Sequence, residues 1–142
     1  KMGIMLCGTC GNGKTSLLYA IKMATEVLNE WGQWERKYNV NVIDAKHIQA
    51  HFKTVEDKKA LFNSDILAIE DMGREATEIA EYGNLYSPVI DLLEYRYNRQ
   101  LTTLITTNLT ATQIREKYKD RIADRFNEML NVIVFKNQSY RR

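Results

Sequence analysis

Residues 5–20 read MLCGTCGNGKTSLLYA, which is a short apolar run followed by a glycine-rich turn, a lysine and a hydroxyl residue. Gly8, Gly13, Lys14 and Thr15 match the spacing G-x-x-x-x-G-K-[ST]. Residues without a Cβ atom let successive backbone N–H groups turn inward around an anion. A helix that begins at Lys14 adds the positive end of its dipole. The stretch therefore predicts a loop that binds phosphate.

This loop lies between a strand pattern over 3–7 and a helix pattern over 16–28, the context that such loops require. Lys14 is expected to reach the β- and γ-phosphates of a nucleoside triphosphate, and the Thr15 hydroxyl to hold Mg²⁺. The residues expected to contact the nucleotide are Gly8, Thr9, Cys10, Gly11, Asn12, Gly13, Lys14, Thr15 and Ser16.

Length and composition describe one globular domain. The chain has 142 residues, of which 44% are hydrophobic and 27% charged, and a net charge of +2. This balance is typical of a folded domain and makes no strong electrostatic case for nucleic acid. No apolar run approaches the about 20 residues of a membrane span. Few cysteines and no signal peptide favour the cytoplasm, and a start at Lys1 suggests a fragment of a longer protein.

Strand and helix patterns alternate along the whole chain. Besides the first strand and helix, strands are predicted over 40–43, 65–73, 101–106 and 132–135, and helices over 44–52, 55–62, 88–97 and 110–129. The last helix is expected to break near Asp120, and 73–86, which has no clear period, to include a mobile loop. Alternation predicts an α/β fold, a three-layer α/β/α sandwich around a mostly parallel sheet. Apolar runs predict strands buried on both faces, and Leu17, Ile21, Ala24 and Leu28 share one face of the first helix.

Two carboxylates end the apolar strand DILAIEDMG, residues 65–73. Glu70 and Asp71 should lie at the carboxyl edge of the sheet, beside the phosphate loop. One can hold Mg²⁺ while the other orients or deprotonates the attacking water, and the residues alone do not say which. A solvated acidic turn is the alternative, and the loop upstream favours the metal site.

Polar residues later in the chain extend the candidate site. Asn108 follows the strand in LTTLITTNLT and could hydrogen-bond the γ-phosphate or position the water. In DRIADRFNEM, Arg121 and Arg125 share one helical face and could reach the γ-phosphate of a neighbouring subunit. Exposed ion pairs with Asp120 and Asp124 are the alternative.

Several other patterns carry weaker hypotheses. Cys7 and Cys10 form C-x-x-C, which could be a redox pair or half of a zinc site, but no second pair exists and packing is favoured. His47 and His51 have helical spacing that could bind zinc, although no acidic third ligand lies in register. Candidate nucleic-acid contacts are Lys46, Lys53, Lys58, Lys59, Tyr82, Tyr86, Tyr95 and Tyr97, for which solvated or packed roles are the alternatives.

Together these residues resemble the AAA+ ATPases, and among them the DnaC-type helicase loaders and the IstB-type transposition ATPases. The matching segments are GTCGNGKT, DILAIEDMG, LEYRYNRQLTTLITTNLT and DRIADRFNEMLNVIVFKNQSYR. The resemblance implies that residues 8–15 are Walker A, Glu70 and Asp71 Walker B, Asn108 sensor 1 and Arg125 the arginine finger. It also implies a P-loop NTPase fold with a reduced or absent lid, and a helical insertion over 44–62. The order Glu70 then Asp71 departs from the family, which has aspartate first.

On this resemblance residues 1–142 form one AAA+ ATPase domain, without the N-terminal region that binds a partner. The cofactors implied are ATP and Mg²⁺, and the reaction is hydrolysis of ATP to ADP and phosphate. The implied assembly is a homo-oligomer with ATP at subunit interfaces, which loads a replicative helicase on single-stranded DNA. A transposase partner, a nucleotide-gated module without turnover and a small-molecule kinase are the alternatives. Residues 73–87 contain only Arg74 as a basic residue, a poor kinase lid.

Overall fold

In the computed structural model the described residues are 2–32, 34–75, 79–81 and 84–139. Within them the strands are β1 Gly3–Gly8, β2 Val40–Asp44, β3 Ile66–Met72, β4 Ile79–Glu81, β5 Asn84–Tyr86, β6 Thr102–Thr107 and β7 Leu130–Phe135. The α-helices are α1 Lys14–Trp31, α2 Val55–Phe62, α3 Pro88–Asn98 and α4 Ala111–Met129, and a 3₁₀ helix, Ala45–Phe52, precedes α2. None of the helices in these ranges has the length and apolar character that crossing a bilayer requires.

Five strands form one sheet in the order β2-β3-β6-β1-β7, and every neighbouring pair is parallel. One face of the sheet packs on α3, α4 and the 3₁₀ helix, through buried residues such as Met5, Ile69 and Ile105. The other face packs on Leu18 of α1, through Ala68 and Leu104. Helices therefore cover both faces, and the predicted three-layer α/β fold is confirmed.

Burial of α1 and β7 differs from the prediction. On α1 the buried residues are Lys14 and Leu18, whereas Leu17 and Leu28 are 39% and 46% exposed. Of the predicted face, Ile21 packs against the small apolar cluster under α1, whereas Leu17, Ala24 and Leu28 are exposed. Residues 132–134 of the edge strand β7 are exposed too, whereas Val40 and Ile43 of the other edge strand, β2, are buried. Burial on both faces holds for the inner strands β3 and β6.

The stretch over 73–86, whose sequence has no clear hydrophobic period, contains an antiparallel pair of short strands, β4 and β5. Residues 76–78, 82 and 83 of this stretch, including Tyr82, lie outside the described residues. The helix that follows begins as its sequence predicts. Ser87 caps α3, its Oγ accepting a hydrogen bond from the Ile90 amide at 3.5 Å, and Pro88 occupies the first turn.

The predicted break in the last helix is confirmed one residue earlier, at Lys119. Its φ of 68° and ψ of 166° belong to a region of backbone space that glycine occupies almost alone. The start of α4 is also as predicted, because Thr110 and Gln113 form a complete capping box. The helix therefore consists of two segments joined at a strained residue.

Among the residues whose burial the structure describes, Arg96 is the largest fully buried polar side chain. Its guanidinium donates to the carbonyl oxygens of Phe62 at 3.0 Å, Ser64 at 2.9 Å and Thr102 at 2.7 Å, and to Thr103 Oγ1 at 2.9 Å. Burial lowers the pKa of Arg96 to about 10, so the group stays charged at neutral pH. Arg96 thereby ties α3 to the end of α2 and to the start of β6.

Replacing Arg96 by methionine should lower the free energy of unfolding by about 3 kcal/mol, because buried carbonyl oxygens lose their donors. The control is Arg99→Met, since Arg99 is exposed and stacks on the Tyr95 ring with its Cζ 3.9 Å from the centroid. Its loss should stay below about 1 kcal/mol. Urea denaturation measures both, and equal losses would contradict the role of Arg96.

Replacing Lys119 by glycine should raise the free energy of unfolding by about 1 kcal/mol, because glycine adopts this backbone conformation without strain. Glu116→Gly is the matched control, in the regular helix one turn earlier. There glycine should cost about 1 kcal/mol. If both substitutions destabilise the protein to the same extent, Lys119 is not strained.

Candidate nucleotide-binding site

The loop between β1 and α1, called the glycine loop here (residues 8–15), depends on glycine at two kinds of position. Gly13 has a φ of 94°, and a Cβ added there would meet nothing within 4 Å, so the space in front of α1 is open. Gly8 is different, because a Cβ there would lie 2.4 Å from Asn12 Nδ2 and 2.9 Å from Phe135. Gly13 thus supplies backbone freedom, and Gly8 supplies close packing.

Lys14 is only 5% exposed and its ammonium group lies inside the glycine loop. Nζ donates to the carbonyl oxygens of Gly8 at 2.8 Å and Thr9 at 2.7 Å, and to Asn12 Oδ1 at 3.1 Å. Asn12 is also buried, and its Nδ2 atom has no hydrogen-bond partner. Asn137, after β7, donates from Nδ2 to the Asn12 carbonyl at 3.4 Å. The loop is therefore a concave backbone wrapped around a positive charge.

A cavity of about 330 Å³ opens in front of this loop. It brings together groups from the ends of β1, β3 and β6 and from the start of α1. The lining residues are Cys10, Gly11, Gly13, Lys14, Thr15, Ser16, Asp71, Arg74 and Asn108. Most of the residues predicted to bind nucleotide therefore share one cavity. The exceptions in the loop are Gly8 and Thr9, which line a second, mainly apolar cavity, and the buried Asn12.

The end of β3 is bent so that Asp71 faces this cavity. The pairing of β3 with β6 shifts register between Ile69 and Met72, and Asp71 adopts a φ of 52°. Two buried threonines of β6 hold this irregularity. The Asp71 amide donates to Thr106 Oγ1 at 3.0 Å, and Thr107 Oγ1 donates to the Met72 carbonyl at 2.6 Å. Such a bulge redirects a side chain, and the threonines are functional candidates that the sequence reasoning missed.

The Glu70 side chain has different surroundings from that of Asp71, its neighbour in the sequence. Within the described part of the chain it is not among the residues that line the cavity, and its Oε2 accepts a hydrogen bond from the Tyr19 hydroxyl of α1 at 3.4 Å. The charge of Glu70 raises the pKa of Tyr19. Glu70 is also paired in register with Asp44 of β2. The two neighbouring carboxylates thus have different surroundings, which the sequence could not show.

The turn after Asp71 carries contacts that no sequence pattern indicated. Arg74 NH1 lies 3.3 Å from Asp71 Oδ2. Glu75 is buried, and its Oε2 accepts from the Gly73 amide at 2.8 Å. The Tyr118 hydroxyl donates to the other oxygen of Glu75, and burial together with this hydrogen bond raises the pKa of Tyr118. These partners lie 43 residues apart, and nothing in their spacing predicts the contact.

Arg121 and Arg125 do not line this cavity in the part of the chain described. Both approach Glu94 of α3, with nitrogen–oxygen distances of 2.9 Å for Arg121 and 3.8 Å for Arg125. Arg125 also lies over the ring of Tyr97, 4.8 Å from its centroid. The two aspartates that were the alternative partners pair instead with another arginine: Arg115 contacts Asp120 and Asp124.

The remaining hypotheses find little support. His47 and His51 lie on the 3₁₀ helix, where residues four apart point about 120° away from each other. Among the described residues no three groups of the metal-binding types come together. Burial raises the pKa of the Cys7 thiol, the opposite of what a reactive cysteine needs. Lys58 lies over the rings of Phe52 and Phe62, so it packs within the chain.

The fold and this cavity define a P-loop type of α/β protein with a candidate nucleotide site. No protein-family model matches the chain, and no curated protein matches it. Solved structures do match. The crystal structure of the DnaC helicase loader has a TM-score of 0.70 and 23% identity, over 94% of this chain and 78% of that one.

Two further structures show the same likeness. DnaI has a TM-score of 0.72 and 22% identity, over 98% of this chain and 72% of that chain. AMPPCP-bound DnaA from Aquifex aeolicus has a TM-score of 0.62 and 22% identity, over 92% of this chain and 39% of that chain. At these identities the likeness shows the fold, and the chain has the fold of the AAA+ proteins. The resemblance expected from the sequence is confirmed at that level.

Proposed function

We propose that this chain binds ATP with Mg²⁺ in the cavity at the glycine loop and hydrolyses it to ADP and phosphate. The observation that carries the proposal is the shared lining of one cavity by the loop, Lys14, Asp71 and Asn108. These groups come from three separate strand ends, and together they offer cationic, carboxylate and amide contacts. That combination suits a magnesium nucleotide.

The donor set fits phosphate and Mg²⁺. The glycine loop leads directly into α1, whose first backbone amides have no partner within the helix, and Gly11 and Gly13 have positive φ angles of 78° and 94°. Ser16, next along α1, also lines the cavity and offers a hydroxyl. Thr15 and Asp71 line the cavity and offer the oxygen ligands that Mg²⁺ prefers. When bound, Mg²⁺ would neutralise charge on the phosphate oxygens.

Each residue then has a proposed role. Lys14 would exchange a carbonyl partner for a phosphate oxygen and stabilise negative charge there. Asn108 would orient the attacking water or the terminal phosphate through its amide. Thr15 and Asp71 are the metal ligands we propose. Glu70 adds negative charge beside them, from its position against Tyr19.

The wider assignment is an ATPase of DNA replication that assembles as a homo-oligomer and loads a replicative helicase on single-stranded DNA. Support comes from the structures that share the fold, which include a helicase loader and a replication initiator bound to AMPPCP and single-stranded DNA. Arg125 does not line the nucleotide cavity of its own chain, so the ATP that we propose it contacts is that of a neighbouring subunit.

The wild-type protein should bind ATP and release phosphate, and three substitutions should separate the roles of the site. Lys14→Ala should weaken ATP binding at least about tenfold, since it removes a charged contact. Asp71→Asn should lower kcat about 100-fold, and Glu70→Gln by a smaller factor, because only Asp71 lines the cavity. Calorimetry measures binding and phosphate release measures turnover, with and without single-stranded DNA.

Lys22→Ala is the control for that series, because Lys22 is on α1 but does not line the cavity. It should leave both quantities within about twofold. Failure of the wild-type protein to bind any nucleotide would refute the proposal. Tight binding without hydrolysis would reduce it to a nucleotide-gated module, and phosphate transfer to a small acceptor would make the protein a kinase.

Mixing Arg125→Ala protein with Lys14→Ala protein tests the contact between subunits. Arg125→Ala alone should lose at least about 100-fold in kcat, as removal of an arginine finger does. The mixture should regain activity, because intact Lys14 and intact Arg125 meet at some interfaces. Arg121→Ala removes the other arginine that contacts Glu94. It shows whether the loss of an ion pair with Glu94 is by itself enough to lower kcat. No recovery in the mixture means that Arg125 acts within its own chain.

A further inference from the structure

A second cation lines the nucleotide cavity beside Lys14. Arg74 follows the bulged end of β3, and its side chain is 58% exposed at the cavity. Its NH1 atom lies 3.3 Å from Asp71 Oδ2. Among the described lining residues, Lys14 and Arg74 are the two with cationic side chains. Lys14 is buried in the loop, so Arg74 is the cation with room to move.

The backbone of Arg74 is held on both sides. Its amide donates to the Asp71 carbonyl at 3.3 Å. On the other side, buried Glu75 accepts from the Gly73 amide at 2.8 Å, and Lys117 donates to the Glu75 carbonyl at 2.9 Å. The backbone hydrogen bonds therefore fix the position of the Arg74 Cα atom, while its guanidinium group faces solvent. A group placed in this way loses less entropy when it binds a ligand.

The partner that Arg74 has now is a weak one. Ion pairs between exposed side chains contribute little, and the carboxylate of Asp71 is 32% exposed. A terminal phosphate carries more charge and accepts two parallel N–H bonds from one guanidinium. If Asp71 held Mg²⁺, the charge of the metal would offset that of the carboxylate and weaken its attraction for an arginine. Both effects favour transfer of Arg74 from Asp71 to phosphate.

We propose that Arg74 is a catalytic residue supplied within the same chain, which leaves Asp71 and binds the terminal phosphate of ATP. The inference rests on the proposed function and adds a residue to it. Arg74 then distinguishes ATP from ADP in the isolated protomer, before any neighbouring subunit contributes. This role differs from that of Arg125, which lies against Glu94 and Tyr97 outside the cavity.

The test compares the affinities of wild-type and variant proteins for ATP and for ADP by calorimetry in Mg²⁺. Arg74→Gln should weaken ATP binding about tenfold and change ADP binding by less than about twofold, since ADP lacks the group contacted. Arg74→Lys should recover part of the ATP affinity, because it keeps the charge without the paired donors. The matched control is Arg36→Gln, an exposed arginine paired with Asp65 at 2.5 Å that does not line the cavity.

Mixing two variant proteins and measuring ATP hydrolysis gives a second test. Arg74→Gln should also hydrolyse ATP more slowly than wild type, and mixing it with Lys14→Ala protein should restore no activity, because each protomer keeps a defect in its own site. Recovery would mean that Arg74 acts on a neighbour, and would overturn the inference. Equal weakening of ATP and ADP, tighter ATP binding, or no change would overturn it as well. If wild-type protein binds ATP and Arg74→Gln binds it equally well, this inference fails and the proposed function stands. If wild-type protein binds neither nucleotide, both fail.

Discussion

The parallel alignment of β3, β6 and β1 is the constraint on which the candidate site depends. Ile105 of β6 is in register with Met5 on one side and with Ile69 on the other, and all three are almost fully buried. From this common level the strands run the same way and end within three residues, about 10 Å, of it. The glycine loop, Asp71 and Asn108 therefore meet at one edge because a buried apolar row sets their level.

In the candidate site the backbone is tightly held, but the two cationic side chains, Lys14 and Arg74, differ in how firmly they are held. Thr106 and Thr107 fix the bulge at Asp71, and Glu75 fixes the turn that follows. Lys14 is enclosed by carbonyl oxygens of its own loop, whereas the exposed Arg74 pairs with the partly exposed carboxylate of Asp71. A rigid backbone that encloses Lys14 and leaves Arg74 free to move suits the proposed ligand, because the terminal phosphate of ATP is absent from ADP.

Local patterns were enough to predict most of the fold. The glycine spacing, the capping box at Thr110 and the Ser87–Pro88 helix start each depend on neighbours within a few residues, so each was found where predicted. The burial of α1 and β7 was not predictable in this way, because exposure depends on what lies across the sheet. Arg96 shows the same limit: its four acceptors come from two other parts of the chain, and its sequence context resembles that of an ordinary surface arginine.

In the candidate site, too, some features were predictable from the sequence and others were decided only by the fold. Sequence alone predicted the glycine loop, the carboxylate pair at the end of β3 and the asparagine after β6, because phosphate loops and strand ends carry recognisable residue types at short spacing. Folding decided which carboxylate faces the cavity, since a one-residue bulge turns Asp71 inward while Glu70 meets Tyr19. Folding also brought Arg74 beside Asp71 and joined Glu75 to Tyr118. Such choices depend on side-chain direction and on distant partners, which spacing along a chain does not encode.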